Sequence, residues 1–129
     1  MTSPITLAIA LRHQAEGVYC LEAAAELLIA HQTWLRRADF TSEFIQIGPG
    51  LIDQRPMAIV DWPAAITTLR AGYLPCSGGE HRILLIAASL AERIPVDLSE
   101  VLTGLDEANL DLIAATVLHA GGHRPLGRP

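Results

Sequence analysis

Residues Leu74–Glu92 read LPCSGGEHRILLIAASLAE and join a helix-start motif to a broad apolar surface. Ser77 is followed three residues later by Glu80. This is the spacing of a capping box, in which the serine hydroxyl accepts an N–H of the first turn and the glutamate carboxylate accepts the N–H of the serine itself. The apolar residues that follow cover most sides of the expected helix, and Pro95 ends it near Arg93. Such a helix is normally buried in a core or in a subunit contact.

Helix signals also dominate the first third of the chain. Ser3 followed by Pro4 is a typical helix start. It favours a helix over residues 5–11, although the alternation of Ile and Leu in this segment also fits a strand. Residues 16–34 then predict the longest helix, because their apolar residues fall on one face and a narrow polar stripe on another. Its many alanines favour helix and allow a neighbouring helix to approach closely.

The middle of the chain contains the clearest loop. Asp39 predicts the start of a short helix over residues 40–47. Residues 48–56 follow as a loop with two glycines and two prolines. Residues 57–60 are consistent with a brief extended segment, and Asp61 then predicts the cap of another helix with proline in its first turn.

The capping device recurs in the last third of the chain. Asp97 with Glu100 predicts the start of a short helix. Thr103 with Asp106 predicts the start of a longer one, which the glycine pair at 121–122 ends. Together these signals predict an all-α protein, a compact bundle of five or six helices with at most a minor extended segment.

The length of 129 residues is ordinary for one domain with one core. We therefore expect a single helical domain over residues 1–129, with a frayed tail from about residue 123. The longest apolar runs, such as ILLIAA at Ile83–Ala88, are far shorter than the roughly 20 residues of a membrane-spanning helix. The first residues lack the basic start of a secretory signal, so we expect a cytoplasmic protein that does not bind membranes.

Charge argues against one class of partner. The net charge is −5, with nine arginines and no lysine. The arginines are scattered along the chain, whereas binding to nucleic-acid phosphates requires clustered positive charge. We therefore predict no direct nucleic-acid binding. Half of the residues are apolar and the mean hydropathy is +0.33, so we expect either a tightly packed core or one apolar face for a partner.

The helix start at Ser77 is also a candidate anion site. The N–H groups of Gly78 and Gly79 at a helix N-terminus can hold a phosphate or a carboxylate. The capping box competes with this interpretation, because Ser77 and Glu80 themselves use donors of the same turn.

The histidines of the C-terminal segment are weak candidates for a metal site. His119 and His123 are four residues apart, a spacing that brings two imidazoles together on a helix. The two glycines between them should end the helix and break that geometry, so we predict no metal. His119 is better explained by its position near the negative end of a helix.

Other titratable residues give no recognisable catalytic set. His13 and His31 flank the longest predicted helix and, with its glutamates, form a conceivable acid–base cluster, but the polar stripe is better interpreted as solvated surface. Cys20 and Cys76 are predicted to be reduced thiols, packed as small apolar groups. We find no nucleophile elbow, zinc-finger spacing or dinucleotide fingerprint, and we predict no cofactor.

Two resemblances bear on function. The order SGG, helix and GLD between Ser77 and Asp106 resembles the signature region of ATP-binding cassette proteins. The chain has no lysine for a P-loop and no apolar strand that ends in Asp-Glu, so we interpret this likeness as a coincidence of the capping box.

The resemblance of five runs is to a recurring group of small actinobacterial proteins of no assigned function: GVYCLEAAAELLIAHQTWL, IVDWPAAI, LPCSGGEHRILLIAASLA, GLDEANLDLI and VLHAGGHR. This resemblance covers most of the chain, implies a compact bacterial domain and brings no catalytic residue with it.

The leading hypothesis is a non-enzymatic helical module that binds another protein, or itself as a homodimer. We expect its partner surface on the helix that begins at Ser77 or on the apolar stripe of the longest helix. The alternative is a small anion- or metal-binding domain, or an enzyme, that uses the Ser77–Glu80 turn and the histidines.

Overall fold

A computed structural model describes residues 2–50 and 54–123. In these ranges the chain forms seven α-helices and one β-hairpin. The helices are α1 (Pro4–Ala15), α2 (Tyr19–His31), α3 (Ala38–Phe44), α4 (Trp62–Arg70), α5 (Gly78–Glu92), α6 (Leu98–Leu102) and α7 (Glu107–Ala120). The strands are β1 (Ile45–Pro49) and β2 (Pro56–Val60), and a short 3-10 turn spans Trp34–Arg36.

The largely helical character is confirmed, but the prediction of an all-α bundle of five or six helices is wrong. The described residues contain one helix more than the upper limit of that prediction and an antiparallel two-stranded sheet. β1 pairs with β2 in a register that runs from Ile45 opposite Val60 to Pro49 opposite Pro56. The extended segment predicted over residues 57–60 is therefore one strand of a hairpin.

The predicted helix over residues 40–47 is split between a helix and a strand. α3 begins at Ala38, so that Asp39 lies inside its first turn, and it ends at Phe44. From Ile45 the chain continues as β1. Ile45 and Ile47 are β-branched and fit a pleated strand. Backbone pairing with the distant β2 overrides the local helix signal.

The predicted longest helix is also shorter than expected. α2 begins only at Tyr19 and ends at His31, and α5 is the longer helix. Gly17 and Gln32 adopt φ values of 90° and 72°. This left-handed region is incompatible with a continuing right-handed helix. The expected helix over residues 5–11 is confirmed within α1.

Side-chain caps fix most helix starts. The capping box at Ser77 is confirmed: its hydroxyl accepts the N–H of Glu80 at 3.1 Å, and the Glu80 carboxylate accepts the N–H of Ser77 at 2.8 Å. Asp61 and Asp97 cap α4 and α6 as predicted.

The predicted pairing of Thr103 with Asp106 at the start of α7 is wrong. Asp106 alone caps α7, by accepting the N–H of Asn109 at 2.8 Å. Thr103 instead ends α6, where its hydroxyl donates to the carbonyl of Ser99.

The core is organised around α2. This helix packs against α1, α5 and α7, while α1 also lies on β2, and α5 is covered further by α4 and α6. Trp34 is fully buried beside Phe40, with ring centroids 5.3 Å apart, and its indole N–H donates to the carbonyl of Glu80. The 3-10 turn after α2 is thereby joined to the first turn of α5.

Within the described ranges, no helix combines the length and hydrophobicity needed to cross a bilayer. The predicted frayed tail lies beyond His123, outside the described residues.

Candidate functional site

The start of α5 is the first candidate site. Its capping box leaves the N–H groups of Gly78 and Gly79, the first two helical residues, outside the reciprocal bonds of Ser77 and Glu80. Gly78 lines a cleft of about 730 Å³ between the start of α5, the segment 95–97 and α6. The predicted anion-binding turn therefore opens into a concave surface.

Two arginines line the same cleft. Arg82 donates from Nε to the carbonyl of Glu100 at 3.2 Å, and Arg70 donates from Nη2 to the carbonyl of Pro95 at 3.3 Å. Neither guanidinium forms an ion pair with a carboxylate of the described residues. Each cation is thus oriented by a neutral backbone group and keeps donors for another acceptor.

Gly78 makes room for one of these cations. A Cβ at this position would lie 2.7 Å from Nη1 of Arg82, which is shorter than a van der Waals contact. Sequence reasoning missed Arg82, although it is four residues after Gly78 and therefore lies over the same turn of the helix. Asp97 and Glu100 also line the cleft, and the Asp97 carboxylate is engaged in capping α6.

The two C-terminal histidines have different surroundings. Nε2 of His119 lies 2.9 Å from Oε1 of Glu22 on α2. α7 ends at Ala120, with Gly121 as its C-cap, so the helix stops before the exposed His123, as predicted. Among the described residues, no group of three or more His, Cys, Asp or Glu side chains is arranged to hold a metal ion.

The residues of the conceivable acid–base cluster are engaged in separate contacts. Glu26 binds Arg12 through both carboxylate oxygens, at 2.7 and 3.0 Å, and this contact raises the pKa of Arg12. Glu22 accepts the N–H of Gly17 in addition to its contact with His119. Nδ1 of His13 lies 3.2 Å from the carbonyl oxygen of Pro56 on β2.

His31, the last residue of α2, faces the starts of two other helices. Its Nδ1 is buried and has no hydrogen-bond partner among the described residues. Burial lowers the pKa of His31, while the carboxylates of Glu80 on α5 and Asp106 before α7 oppose this shift. The neutral imidazole is therefore favoured at this junction.

The cysteines are not joined in a disulfide, but the prediction that both are packed as small apolar groups is wrong for Cys20. Cys20 is exposed, whereas Cys76 is partly buried. Burial raises the pKa of Cys76, the nearby Glu80 raises it further, and Arg37 opposes the shift. A raised pKa disfavours the thiolate and therefore nucleophilic chemistry at Cys76.

The second candidate site is the outer face of α7, defined by Leu110, Ala114, Val117 and Leu118. Leu110, Val117 and Leu118 are 43%, 58% and 47% exposed, and Ala114 is also exposed. On this helix only Ile113 and Thr116 are buried, and α2 is its main packing partner. The outer face is thus an apolar surface that the described part of the chain leaves uncovered.

The expected partner surfaces lie elsewhere and are covered. The apolar residues of α5 form part of the core, with Ile83 and Leu84 fully buried, and most apolar residues of α2 are also buried. These faces are therefore not available to a partner. The sequence signal for the outer face of α7 was its excess of apolar residues over the number that one neighbouring helix can cover.

The C-terminal end of α7 is held closely against α2. Gly122 adopts φ 79°, and a Cβ there would lie 2.9 Å from Cε2 of Tyr19. The Tyr19 ring therefore rests on the backbone of the turn that follows α7. This contact and the His119–Glu22 pair fix α7 on α2, so the outer face is presented by an anchored helix.

No family model matches this chain, and no curated protein or solved structure matches it.

Proposed function

We propose that the protein is a non-enzymatic interaction module that binds a protein partner through the outer face of α7. The observation that carries this proposal is the exposure of Leu110, Val117 and Leu118 on a helix with only two buried residues. Apolar surface of this kind is stabilised by transfer out of water, by about 25 cal/mol for each Å² buried. Completing the burial of three half-exposed side chains is therefore worth on the order of 1 kcal/mol each.

The non-enzymatic part of the proposal is supported by the structural contacts that the polar side chains form. Ser77 and Glu80 close a capping box, and His119 contacts Glu22 across two helices. The raised pKa of Cys76 disfavours its reactive form. These contacts stabilise the fold and account for the polar side chains without a catalytic role.

The surface charges support a protein partner over a nucleic acid. Arg12, Arg37 and Arg55 each lie within 4.0 Å of a carboxylate oxygen, from Glu26, Asp39 and Glu16 respectively. Arginines neutralised in this way add little to a positive surface. The cytoplasm remains the predicted location.

Site-directed photo-crosslinking in the cells that produce the protein tests the proposal. A benzophenone side chain in place of Leu118 should give a protein adduct, and the same group in place of the exposed Thr67 on α4 should not. Adding Ala114→Glu to the Leu118 probe should abolish the adduct, because a carboxylate is costly to bury in an apolar contact. Equal labelling at both positions, or no adduct at Leu118, contradicts the proposal.

Anion binding in the cleft beside α5 is the second candidate function. It is favoured by the two guanidinium groups of Arg70 and Arg82, which lack carboxylate partners among the described residues. Inorganic phosphate should then raise the Tm relative to chloride at equal ionic strength, because a ligand that binds the folded form stabilises it. Arg82→Gln should remove this effect and the exposed Arg93→Gln should keep it. No difference between phosphate and chloride contradicts anion binding.

A further inference from the structure

We infer that the partner of the outer face of α7 is a second copy of this chain, docked as an antiparallel pair of α7 helices related by a two-fold axis near Ala114. This inference rests on the proposed function and names the partner that it leaves open.

The outer face is self-complementary about Ala114. Leu110 and Leu118 lie four residues before and after it, so the three side chains form one row along the helix surface. In a two-fold contact the same patch serves both copies. An antiparallel pair centred on Ala114 places Leu110 of one copy beside the partner's Leu118, and the reverse. The small side chain at the axis allows the two helices to approach closely, with the leucines on either side.

The charges along α7 select the antiparallel orientation. Three carboxylates, from Asp106, Glu107 and Asp111, lie at its beginning, and no acidic residue follows Asp111 in the sequence. The other end has His123, and Arg124 is next in the sequence. A parallel pair would bring six carboxylates together (three from each copy), and like charges at such distances repel. The antiparallel pair instead directs each acidic end away from the partner's acidic end and towards the partner's His123.

The size of the surface predicts a weak dimer. A helix of 14 residues is about 21 Å long. One face of it buries less than the roughly 800 Å² per partner of a standard interface. We therefore expect a weak, reversible dimer that forms at high protein concentration.

Another apolar surface lacks these features. Ile5 and Ile9 on α1 are 75% and 59% exposed. The next positions of their row are Arg12, which binds Glu26, and the polar His13. This row is apolar at one end and polar at the other, so it is not self-complementary.

Sedimentation velocity over a concentration series tests the inference. From about 1 to 500 μM the wild-type chain should change from monomer to dimer. Ala114→Glu should weaken the dimer at least about tenfold, because it places two carboxylates at the axis. Ala108→Glu is the matched control, since it adds the same charge at another exposed position of α7, off the row. Far-UV circular dichroism should show that both variants are folded, because neither alanine is buried.

Disulfide trapping tests the orientation in a chain with Cys20→Ser and Cys76→Ser. Mixing Leu110→Cys with Leu118→Cys should give a crosslinked dimer that contains both variants, whereas either variant alone should give little. A parallel pair would crosslink each variant to itself.

The outcomes separate the inference from the proposed function. A strictly monomeric chain whose photo-crosslink at Leu118 contains a different protein overturns the inference and leaves the proposed function standing. A monomeric chain with no adduct overturns both. A dimer weakened by Ile9→Glu but not by Ala114→Glu also overturns the inference.

Discussion

Helices α5 and α7 are similar in length and in how they begin, but they differ in how many other helices cover them. They contain 15 and 14 residues, each begins with a side-chain cap, and both pack against α2. α5 is also covered by α4 and α6 and has five buried residues, whereas α7 has only two. The comparison shows that the apolar residues of α5 are explained by the core of one chain. Those on the outer face of α7 are not.

The largest expected effect is a difference in core stability between the two helices. Leu84→Ala on α5 removes a fully buried side chain and should lower the free energy of unfolding by about 2–5 kcal/mol. Leu118→Ala on α7 should cost less than about 1 kcal/mol in dilute solution, because its side chain is already half exposed. Urea unfolding at low protein concentration measures both. Similar losses of stability in the two variants would show that Leu118 is covered in the monomer, and would contradict the difference between α5 and α7.

The next effect concerns how α5 begins. Ser77→Ala removes the acceptor for the N–H of Glu80 and should lower the free energy of unfolding by about 1 kcal/mol. Ser77→Asp is the control, because aspartate is also a good cap and should retain most of the stability. Thermal unfolding measures the difference. A cap variant as stable as the wild type would mean that packing alone positions α5.

The smallest effect is a pH dependence at the junction of α2 with the starts of α5 and α7. The pKa of His31 is lowered in the folded chain, mainly by burial, while an unfolded histidine titrates near 6.5. Below that pH the unfolded chain binds the proton more readily. Stability should therefore fall as the pH drops through about 6.5 towards the folded pKa, and be unaffected by this group at higher pH.

Comparing the Tm between about pH 8 and 5 for the wild type and His31→Gln measures this contribution. The variant should lose less stability on acidification, and His81→Gln, on α5, serves as a control for removing another imidazole. A wild-type Tm that falls no more steeply than that of His31→Gln contradicts a shifted His31.

Local chemistry explains which features could be predicted from the sequence. The caps at Ser77, Asp61 and Asp97 depend on residues within one turn, so their motifs indicated helix starts correctly. The hairpin depends on pairing between Ile45 and Val60, which no local signal encodes. The helix signal of residues 40–47 was therefore extended past its true end.

In the candidate sites, too, local features could be predicted from the sequence and tertiary contacts could not. The turn at Ser77 was recognised, but the proximity of Arg82 to Gly78 and of Arg70 to the same cleft depends on tertiary packing. Apolar composition indicated a surplus of helix surface. It did not indicate which helix would be covered, because that depends on how many neighbours each helix has in the fold.

Hydrogen exchange of the wild-type chain at low and high concentration tests the central claim most directly. If the outer face of α7 docks on a second copy, amides of α7 should exchange more slowly in the concentrated sample, while those of α1 and α5 should not change. Unchanged exchange in α7, or protection confined to α1, would contradict the claim.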